Sequence, residues 1–285
     1  MKRAEDMPLV TLKELVSRAE SNKVAVGAFS VGNMEMILGA VKAAEETNTP
    51  IILQIAEVRL PTSPLKIIGP MMVAAAKNSS VDICVHLDHG LNYDTLLTAL
   101  ETGFSSVMLD GSLLPYDENI ALTKRVVAKA HEYGSSVEAE LGVVGGNEGD
   151  GKGHKIQCTN PDDAKDFCNK TGIDALAAAI GNAHGHYKSQ PELRLDVLKE
   201  IDDICQTPLV LHGGTGITPE VFQECIRNGI RKVNIATASF DAVVKASKQN
   251  AESNGNYFAL SQNMADAVYE NVKKHIKIFN MENLK

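Results

Sequence analysis

The sequence predicts an α/β fold, a single (β/α)8 TIM barrel, from three observations. The order strand, loop, helix repeats along the chain with no composition break or linker. The predicted strands are short, continuous runs rich in Val, Ile, Leu and Ala, which is typical of parallel strands buried on both faces. The length of 285 residues is close to the roughly 250 that such a barrel needs. We therefore expect one domain over residues 1–285.

The predicted elements follow one another at regular intervals. The strands are residues 24–29, 51–55, 83–87, 106–109, 136–140, 175–180, 208–211 and 232–235. The helices between them are residues 34–46, 64–77, 93–101, 118–131, 161–170, 192–204 and 219–227. An extra N-terminal helix, 9–19, and two C-terminal helices, 239–249 and 261–279, flank these repeats.

Local signals at the helix ends support these bounds. Pro161 and Pro219 stand at first helical positions, each after an Asn or Thr that can cap the helix. Glycines follow several helices, where a left-handed C-cap favours them: Gly103, Gly134, Gly172 and Gly229. The alternative, a doubly wound open sheet, lacks its fingerprint of closely spaced glycines after the first strand.

Composition and charge exclude several classes of partner. The net charge of −8 argues against nucleic acid and anionic membrane surfaces, since both need a basic face. No apolar run approaches the roughly 18 residues of a membrane helix, and the first six residues, of mixed charge, do not resemble a signal peptide. The five cysteines are scattered without a CxxC pair, as in a cytoplasmic protein with reduced thiols.

Polar residues collect where the predicted strands end. In a barrel of this kind the active site lies at the carboxyl ends of the strands. From the third strand to the eighth, these ends carry Asp88-His89, Asp110, Glu138 and Glu140, Gly181-Asn182-Ala183-His184-Gly185, His212-Gly213-Gly214-Thr215-Gly216, and Asn234-Ile235-Ala236-Thr237. The amino ends carry nothing comparable, so the asymmetry predicts a site at one mouth of the barrel.

Three of these residues, His89, His184 and His212, form the ligand set of a catalytic zinc site with one position left open. Any one of them is more commonly a hydrogen-bonded core residue, but their occurrence at three matching strand ends favours the metal site. We expect His86 in the core or behind the ligands, and His186 on a surface loop.

Asp88 and His89 allow two interpretations. They are either a self-satisfied pair or two groups with separate roles, a proton carrier and a metal ligand. Because neighbours on a strand point in different directions, the second interpretation is favoured.

Two further segments have functional and plain structural interpretations. Residues 213–216 and 234–237 follow the seventh and eighth strands, where barrels commonly bind a phosphate through backbone N–H groups and a helix N-terminus. The glycine-rich segment 141–155 is either a lid that carries Glu148 over the site or an ordinary solvated loop.

A zinc site next to a phosphate-binding site suggests aldol chemistry on a small phosphorylated substrate. When a ketone and its neighbouring hydroxyl chelate zinc, the adjacent carbon becomes acidic. A carboxylate can then remove the proton of that carbon to give an enediolate, and a second carboxyl group can act as the acid for the aldehyde oxygen. Schiff-base chemistry would need a lysine near the carboxyl ends of the strands. We expect Lys23 and Lys232 at amino ends, which disfavours it.

From about Val24 to Phe240 the sequence resembles the class II, zinc-dependent fructose-bisphosphate and tagatose-bisphosphate aldolases. The motifs that carry the resemblance are Ala28-Phe29-Ser30-Val31, His86-Leu87-Asp88-His89, Ser106-Val107-Met108-Leu109-Asp110, Val137-Glu138-Ala139-Glu140-Leu141-Gly142, Gly145-Gly146-Asn147-Glu148, Ala179-Ile180-Gly181-Asn182-Ala183-His184-Gly185, Leu211-His212-Gly213-Gly214-Thr215-Gly216 and Asn234-Ile235-Ala236-Thr237.

The resemblance implies a role for each candidate residue. His89, His184 and His212 would bind zinc, Asp88 would be the acid/base beside it, and Glu148 would remove the donor's proton. Asp110 and Glu140 match positions that hold a second or displaced divalent ion, and a monovalent cation is a further candidate. The contacts to dihydroxyacetone phosphate would come from Gly185, Gly213, Gly214, Thr215, Asn234, Ile235, Ala236 and Thr237. Members are usually homodimers or homotetramers, and some tagatose-bisphosphate enzymes work with a separate activating subunit.

The acceptor side departs from the family pattern. Ser30 stands where Asn is common, and Ala56 stands where many members have a phosphate-binding serine. An Asp-Pro-Arg element is absent from residues 254–258, although Arg59 offers a substitute cation. We therefore expect reversible cleavage of a ketose 1-phosphate or ketose bisphosphate to dihydroxyacetone phosphate and an aldehyde. The alternatives are fructose or tagatose 1,6-bisphosphate as main substrate, a zinc hydrolase, and a non-catalytic accessory subunit.

Overall fold

The computed structural model describes residues 8–146, 156–186 and 191–282, and within them eight parallel strands close into a barrel in the order β1 to β8. The strands are β1 Val26–Ser30, β2 Ile51–Ala56, β3 Ile83–Gly90, β4 Ser106–Leu109, β5 Ser136–Leu141, β6 Ala175–Ala178, β7 Leu209–Leu211 and β8 Ile230–Ile235. Each strand pairs in parallel with the next, and β8 pairs with β1. The predicted (β/α)8 barrel is confirmed.

Helices alternate with the strands and cover the outside of the barrel. They are α1 Leu12–Asn22, α2 Met34–Glu46, α3 Leu65–Asn78, α4 Tyr93–Thr102, α5 Tyr116–Glu132, α6 Pro161–Thr171, α7 Leu195–Ile204, α8 Pro219–Arg227, α9 Thr237–Glu252 and α10 Tyr257–Phe279. Most ends lie within three residues of the predicted ones. The last helix begins four residues early because the Asn256 side chain accepts the Ala259 N–H and caps it.

Side chains on each strand alternate between the barrel interior and the helix layer, and this alternation separates chemistry from packing. On β3, Val85 and Leu87 pack outward against the helices, whereas His86 and Asp88 make their polar contacts inside the barrel. On β5, Val137 lies in the outer core. The continuous apolar appearance of the strands therefore conceals an interior that becomes polar toward one end.

The helix α1 closes the amino end of the barrel. Its buried residues Leu12, Leu15 and Val16 join an apolar cluster with interior residues such as Ile52 and Met108. The Thr11 side chain accepts the Glu14 N–H while the Glu14 carboxylate accepts the Thr11 N–H, which forms a capping box. This end is filled with apolar side chains, so the polar interior layers face the opposite mouth.

One expectation about the lysines is wrong. β8 begins at Ile230, two residues earlier than predicted, so Lys232 lies within the strand and its side chain is fully buried inside the barrel. Its ammonium pairs with the Glu138 carboxylate at 2.8 Å. Lys23 does lie outside the barrel, at the C-cap of α1, with its side chain 72% exposed.

Within the described ranges, no helix is both long and apolar enough to cross a membrane. The cytoplasmic location stays a prediction.

Candidate active site

A distortion at the end of β3 brings both Asp88 and His89 to the barrel mouth. His89 adopts the left-handed φ of 42°, and the β3–β4 register shifts between Leu87 and Gly90. A residue added to one strand in this way forms a bulge, which turns a side chain away from the regular alternation. Asp88 contacts Gln54 of β2 and Asn234 of β8. His89 contacts Asp110 and His212, the residues that directly follow β4 and β7. The two neighbours therefore have separate partners within one site.

The three predicted histidines converge on one point. The ring of His89 lies 4.8 Å from that of His184 and 4.7 Å from that of His212, centroid to centroid. Each ring offers one nitrogen as a ligand atom, and these three nitrogens all lie within 4.8 Å of one another. His89 and His212 are buried and His184 is half-buried, so the cluster opens toward the mouth on the His184 side.

Carboxylates behind two of the rings determine which nitrogen each presents. His89 donates its Nδ1–H to Asp110 at 2.8 Å, and His212 donates its Nε2–H to Glu138 at 2.8 Å. The opposite nitrogens, Nε2 of His89 and Nδ1 of His212, face each other at 3.0 Å. Metal-binding histidines ordinarily donate their other ring N–H to a carboxylate in this way.

These residues fit a zinc ion. Two nitrogens at the usual distance from a tetrahedral zinc lie roughly 3.3 Å apart, close to the 3.0 Å between the facing nitrogens of His89 and His212. Burial alone would lower the pKa of His89, but Asp88, Asp110 and Glu140 outweigh it and raise the pKa to about 10. The same carboxylates that favour a positive charge there favour a bound cation.

His212 has the opposite tendency. Burial, with the nearby His89 ring as a smaller cause, lowers the pKa of His212 well below its usual value. The ring is therefore neutral, which is the form that binds a metal.

A second candidate group lies on the β4–β5 side of the cluster. His89, Asp110 and Glu140 offer ligand atoms within 4.8 Å of one another. Burial, and then the charge of Asp110, raise the pKa of Glu140 well above its usual value. Asp110 is held by hydrogen bonds from the Ser112 backbone N–H and hydroxyl at 3.2 and 2.7 Å. Both residues predicted for a second ion are thus brought together.

Asp88 is held by an amide on each side. The Gln54 Nε2 group donates to Asp88 Oδ2 and the Asn234 Nδ2 group to Oδ1, both at 3.1 Å. The carbonyl oxygens of the same two amides are buried and have no partner among the described residues. Two free acceptors therefore flank the carboxylate, suited to the hydroxyl groups of a ligand.

The loops after β7 and β8 pack closely beside this carboxylate. A Cβ on Gly213 would lie 2.2 Å from the Ala183 carbonyl oxygen, and one on Gly214 would lie 2.7 Å from that of Asn234, so only glycine fits. The helix α9 begins at Thr237, and the Thr215 hydroxyl accepts the Ala238 N–H at 3.1 Å. A helix N-terminus beside closely packed glycines is suited to an anion.

A small cavity joins these parts. Its lining includes nine of the predicted residues, namely Asp88, His184, Gly185, Gly213, Gly214, Thr215, Asn234, Ala236 and Thr237. Ile235 differs, because its side chain is buried in the outer core, so only its backbone faces this region. Glu148 lies outside the described residues. His86 is fully buried and the His186 side chain is 70% exposed, as expected.

Three buried residues that contact the site have no role predicted from the sequence. Gln54 holds Asp88, Glu138 holds His212, and the Asn182 amide donates to the His212 carbonyl at 3.0 Å. Each is a polar side chain within or next to an apolar strand. Alternate residues of a strand share a face, so the interior positions Ala56 and Glu140 also predict interior positions for Gln54 and Glu138.

The residues singled out for the acceptor in the sequence lie on β1, on β2 and just after β2. Ser30 accepts a hydrogen bond from Gln54 at 3.2 Å, and Ala56 is buried beside Asp88 in the β2–β3 register. Arg59 follows β2 in a 3-10 turn, Glu57–Arg59, with its guanidinium 5.5 Å from the centre of the Phe240 ring. These three residues therefore offer a hydroxyl (Ser30), a methyl (Ala56) and a guanidinium (Arg59) on the β1–β2 side of the mouth.

The barrel and its histidine cluster define the class of (β/α)8-barrel enzymes with a candidate metal centre at the carboxyl ends of the strands. Comparison with known proteins specifies the family. Residues 10–284 match the family model "Fructose-bisphosphate aldolase class-II". The chain belongs to the class II fructose-bisphosphate aldolase family, whose members are lyases that catalyse aldol cleavage.

Relatives and solved structures agree with this family. A fructose-bisphosphate aldolase of Staphylococcus aureus (strain Mu50) is 38% identical over 97% of this chain and 99% of that protein. One from Giardia intestinalis is 42% identical over 84% of this chain and 76% of that protein. The crystal structure of the YdjI aldolase from Escherichia coli K12 superposes with a TM-score of 0.86 at 34% identity, covering 95% of this chain and 97% of that one.

Proposed function

We propose that this chain is a zinc-dependent aldolase that reversibly cleaves a ketose 1-phosphate or ketose bisphosphate to dihydroxyacetone phosphate and an aldehyde. The observation that carries the proposal is the position of Asp88. Its carboxylate lies next to the three-histidine cluster and lines the same cavity as the glycine loops and the start of α9. A proton carrier, a metal centre and an anion site are thus within reach of one small ligand.

His89, His184 and His212 would hold the zinc ion, and Asp110 and Glu140 a second divalent ion. Zinc bound there supplies a Lewis acid that polarises the ketose carbonyl. The Asp110 and Glu138 carboxylates keep the ligand rings of His89 and His212 in the required tautomers.

Asp88 carries the proton of the aldehyde oxygen. In cleavage it takes the proton from the ketose hydroxyl as the carbon–carbon bond breaks, and in synthesis it returns that proton. Gln54 and Asn234 hold both carboxylate oxygens, which fixes the direction in which Asp88 presents them. The free carbonyl oxygens of the same amides receive hydroxyl groups of the sugar chain.

Glu148 moves the other proton. During synthesis it removes a proton from the donor carbon of dihydroxyacetone phosphate, and during cleavage it returns one. Its support is its position in the glycine-rich segment and the family motif Gly145-Gly146-Asn147-Glu148. The donor phosphate would bind backbone N–H groups of Gly185, residues 213–215 and residues 234–237 at the start of α9. A monovalent cation beside this phosphate is a further candidate.

The acceptor end favours a substrate other than fructose 1,6-bisphosphate as the main one. Ala56 has no hydroxyl to offer a second phosphate, and Arg59 is the cation available in its place. Fructose and tagatose 1,6-bisphosphate stay the alternatives, because the relatives at 38–42% identity are named fructose-bisphosphate aldolases. We further propose one catalytic unit over residues 1–285, assembled as a homodimer or homotetramer.

A panel of ketose phosphates, with and without a second phosphate, tests the proposal. We expect chelator-sensitive, borohydride-insensitive release of dihydroxyacetone phosphate, with higher kcat/KM for substrates that lack the second phosphate. Release of inorganic phosphate instead would support a zinc hydrolase. Failure to turn over any member of the panel would support an accessory subunit.

A further inference from the structure

An ion pair inside the barrel, directly below the histidine cluster, joins Glu138 to Lys232, a residue that has no role in the proposed chemistry. Lys232 on β8 and Glu138 on β5 are both fully buried, and the Lys232 Nζ atom lies 2.8 Å from Glu138 Oε2. Each stands two residues before a residue of the site, Asn234 and Glu140 respectively, and therefore one interior layer deeper.

Burial makes this pair costly to the fold. Below it the interior is filled by apolar side chains, among them Ile52, Met108 and Val210. Well-packed apolar residues of similar volume commonly replace a buried ion pair without loss of stability. Stability of the barrel is therefore a poor reason for a lysine and a glutamate at these positions.

The two oxygens of Glu138 have different partners. Oε1 accepts the His212 Nε2–H at 2.8 Å, whereas Oε2 faces the Lys232 ammonium and lies 3.6 Å from His86 Nε2. The ammonium thus fixes the carboxylate so that Oε1 points at the His212 ring. That hydrogen bond leaves Nδ1 of His212 without a proton and directed at Nε2 of His89.

We infer that Lys232 and Glu138 are positioning residues that hold His212 as a metal ligand from the barrel core. Neither would touch the substrate. The inference rests on the proposed zinc site and adds to it a determinant of affinity, supplied by strands β5 and β8. The other carboxylate-backed ligand, His89, is supported differently, by Asp110 and the Ser112 loop at the rim.

The test compares two neutral replacements of the pair. In Glu138→Leu/Lys232→Met both charges and the hydrogen-bond acceptor are removed, whereas in Glu138→Gln/Lys232→Met an amide oxygen remains to accept the His212 N–H. Zinc affinity is measured on metal-depleted protein by competition with a chromophoric chelator. The melting temperature of each metal-free protein is measured in parallel.

We expect the leucine variant to lose about 10- to 100-fold in zinc affinity, the usual cost of removing a group behind a ligand, while its metal-free form still unfolds in a single cooperative transition. The glutamine variant should lose less affinity than the leucine variant, because its amide oxygen can still accept the His212 N–H but is no longer fixed by the Lys232 ammonium. A matched control is Arg231→Met/Glu20→Gln, which removes the buried arginine next to Lys232 on β8 and its partner on α1. That variant should lose stability but keep zinc affinity.

Wild-type zinc affinity in the leucine variant would overturn this inference, and so would a loss in the glutamine variant as large as that in the leucine variant. Either result would leave the proposed function standing. If the leucine variant does not fold, Glu138→Met/Lys232→Met provides a second apolar pair with the same expectation. A wild-type chain that binds no zinc would overturn the proposed function and this inference with it.

Discussion

Asp88 and His89 are adjacent in the sequence, yet both face the barrel mouth, because His89 adopts a left-handed φ of 42° at a bulge in β3. A regular strand would direct one of them into the helix layer. The bulge therefore lets one strand end supply both a carboxylate and an imidazole to the same site. A non-glycine residue in this conformation costs on the order of 1–3 kcal/mol, which the surrounding contacts must offset.

His89→Ala and His212→Ala should each abolish zinc binding and aldol cleavage together. Each ring contributes one nitrogen to the cluster, and its partner carboxylate would be left buried without the N–H it now accepts. Metal content per chain and dihydroxyacetone phosphate release are measured on the same preparations. The control is His131→Ala on α5, a half-exposed ring paired with Asp174 on the opposite side of the barrel from the mouth. Full activity in a metal-depleted His89 or His212 variant would exclude the proposed mechanism.

Asp88→Asn should keep zinc but slow cleavage by about 10²- to 10⁴-fold, the usual contribution of a positioned acid or base. The amide has nearly the shape of the carboxylate, so the fold and the histidine cluster should persist. Steady-state kcat is compared with that of Asp94→Asn, a change on the exposed face of α4. An Asp88→Asn variant as fast as the wild type would remove Asp88 from the proton-carrying role.

Glu148→Ala should slow proton exchange at the donor carbon of dihydroxyacetone phosphate and leave the zinc content unchanged. The exchange is followed by NMR in deuterated water without an aldehyde, so only the step assigned to Glu148 is observed. Asp150→Asn, two residues away in the same segment, should exchange normally. If Glu148→Ala exchanges at the wild-type rate, another group removes the proton.

Stability below neutral pH should depend on His275 of α10. Its ring packs among Phe29, Phe222 and Phe279, and burial lowers its pKa to about 4 despite a hydrogen bond from Nδ1 to the Asn271 carbonyl. The unfolded chain, with an ordinary pKa near 6.5, binds the proton first as the pH falls. This contribution is therefore complete above about pH 6.5, is lost between about pH 6.5 and 4, and amounts to about 3 kcal/mol.

Denaturant unfolding of the wild type and of His275→Gln from pH 7 to 4 checks this expectation. The difference in unfolding free energy between the two should shrink or reverse in favour of the variant as the pH falls. Parallel curves over this range would contradict a neutral, buried His275.

Much of the fold and of the site could be predicted from the sequence because both follow from strand ends. The apolar strands, the capping prolines and the glycines mark the barrel, and its topology carries His89, His184 and His212 to one mouth. Their convergence needs no knowledge of side-chain detail. The family motifs also predict that the loops after β7 and β8 belong to the site.

The remaining features depend on strand phase and on local distortion. The sequence predicts Lys232 at a strand end because the predicted strand begins there, whereas β8 begins at Ile230 and pairs with β7 and β1 through this segment. The bulge at His89 has no local signal, since neither glycine nor asparagine occupies the left-handed position. The roles of Gln54 and Glu138 depend on partners that lie elsewhere in the barrel, which the sequence does not identify.

The most direct test of the central claim is borohydride treatment and zinc removal during turnover of one ketose 1-phosphate. Lys232 makes the test discriminating, because it is a lysine inside the barrel, and its Nζ atom would have to leave Glu138 Oε2, 2.8 Å away, to form an imine. We predict that borohydride leaves activity and mass unchanged, that a chelator abolishes dihydroxyacetone phosphate release, and that zinc restores it. Borohydride inactivation with substrate trapped on Lys232, or full turnover in the presence of the chelator, would contradict the account.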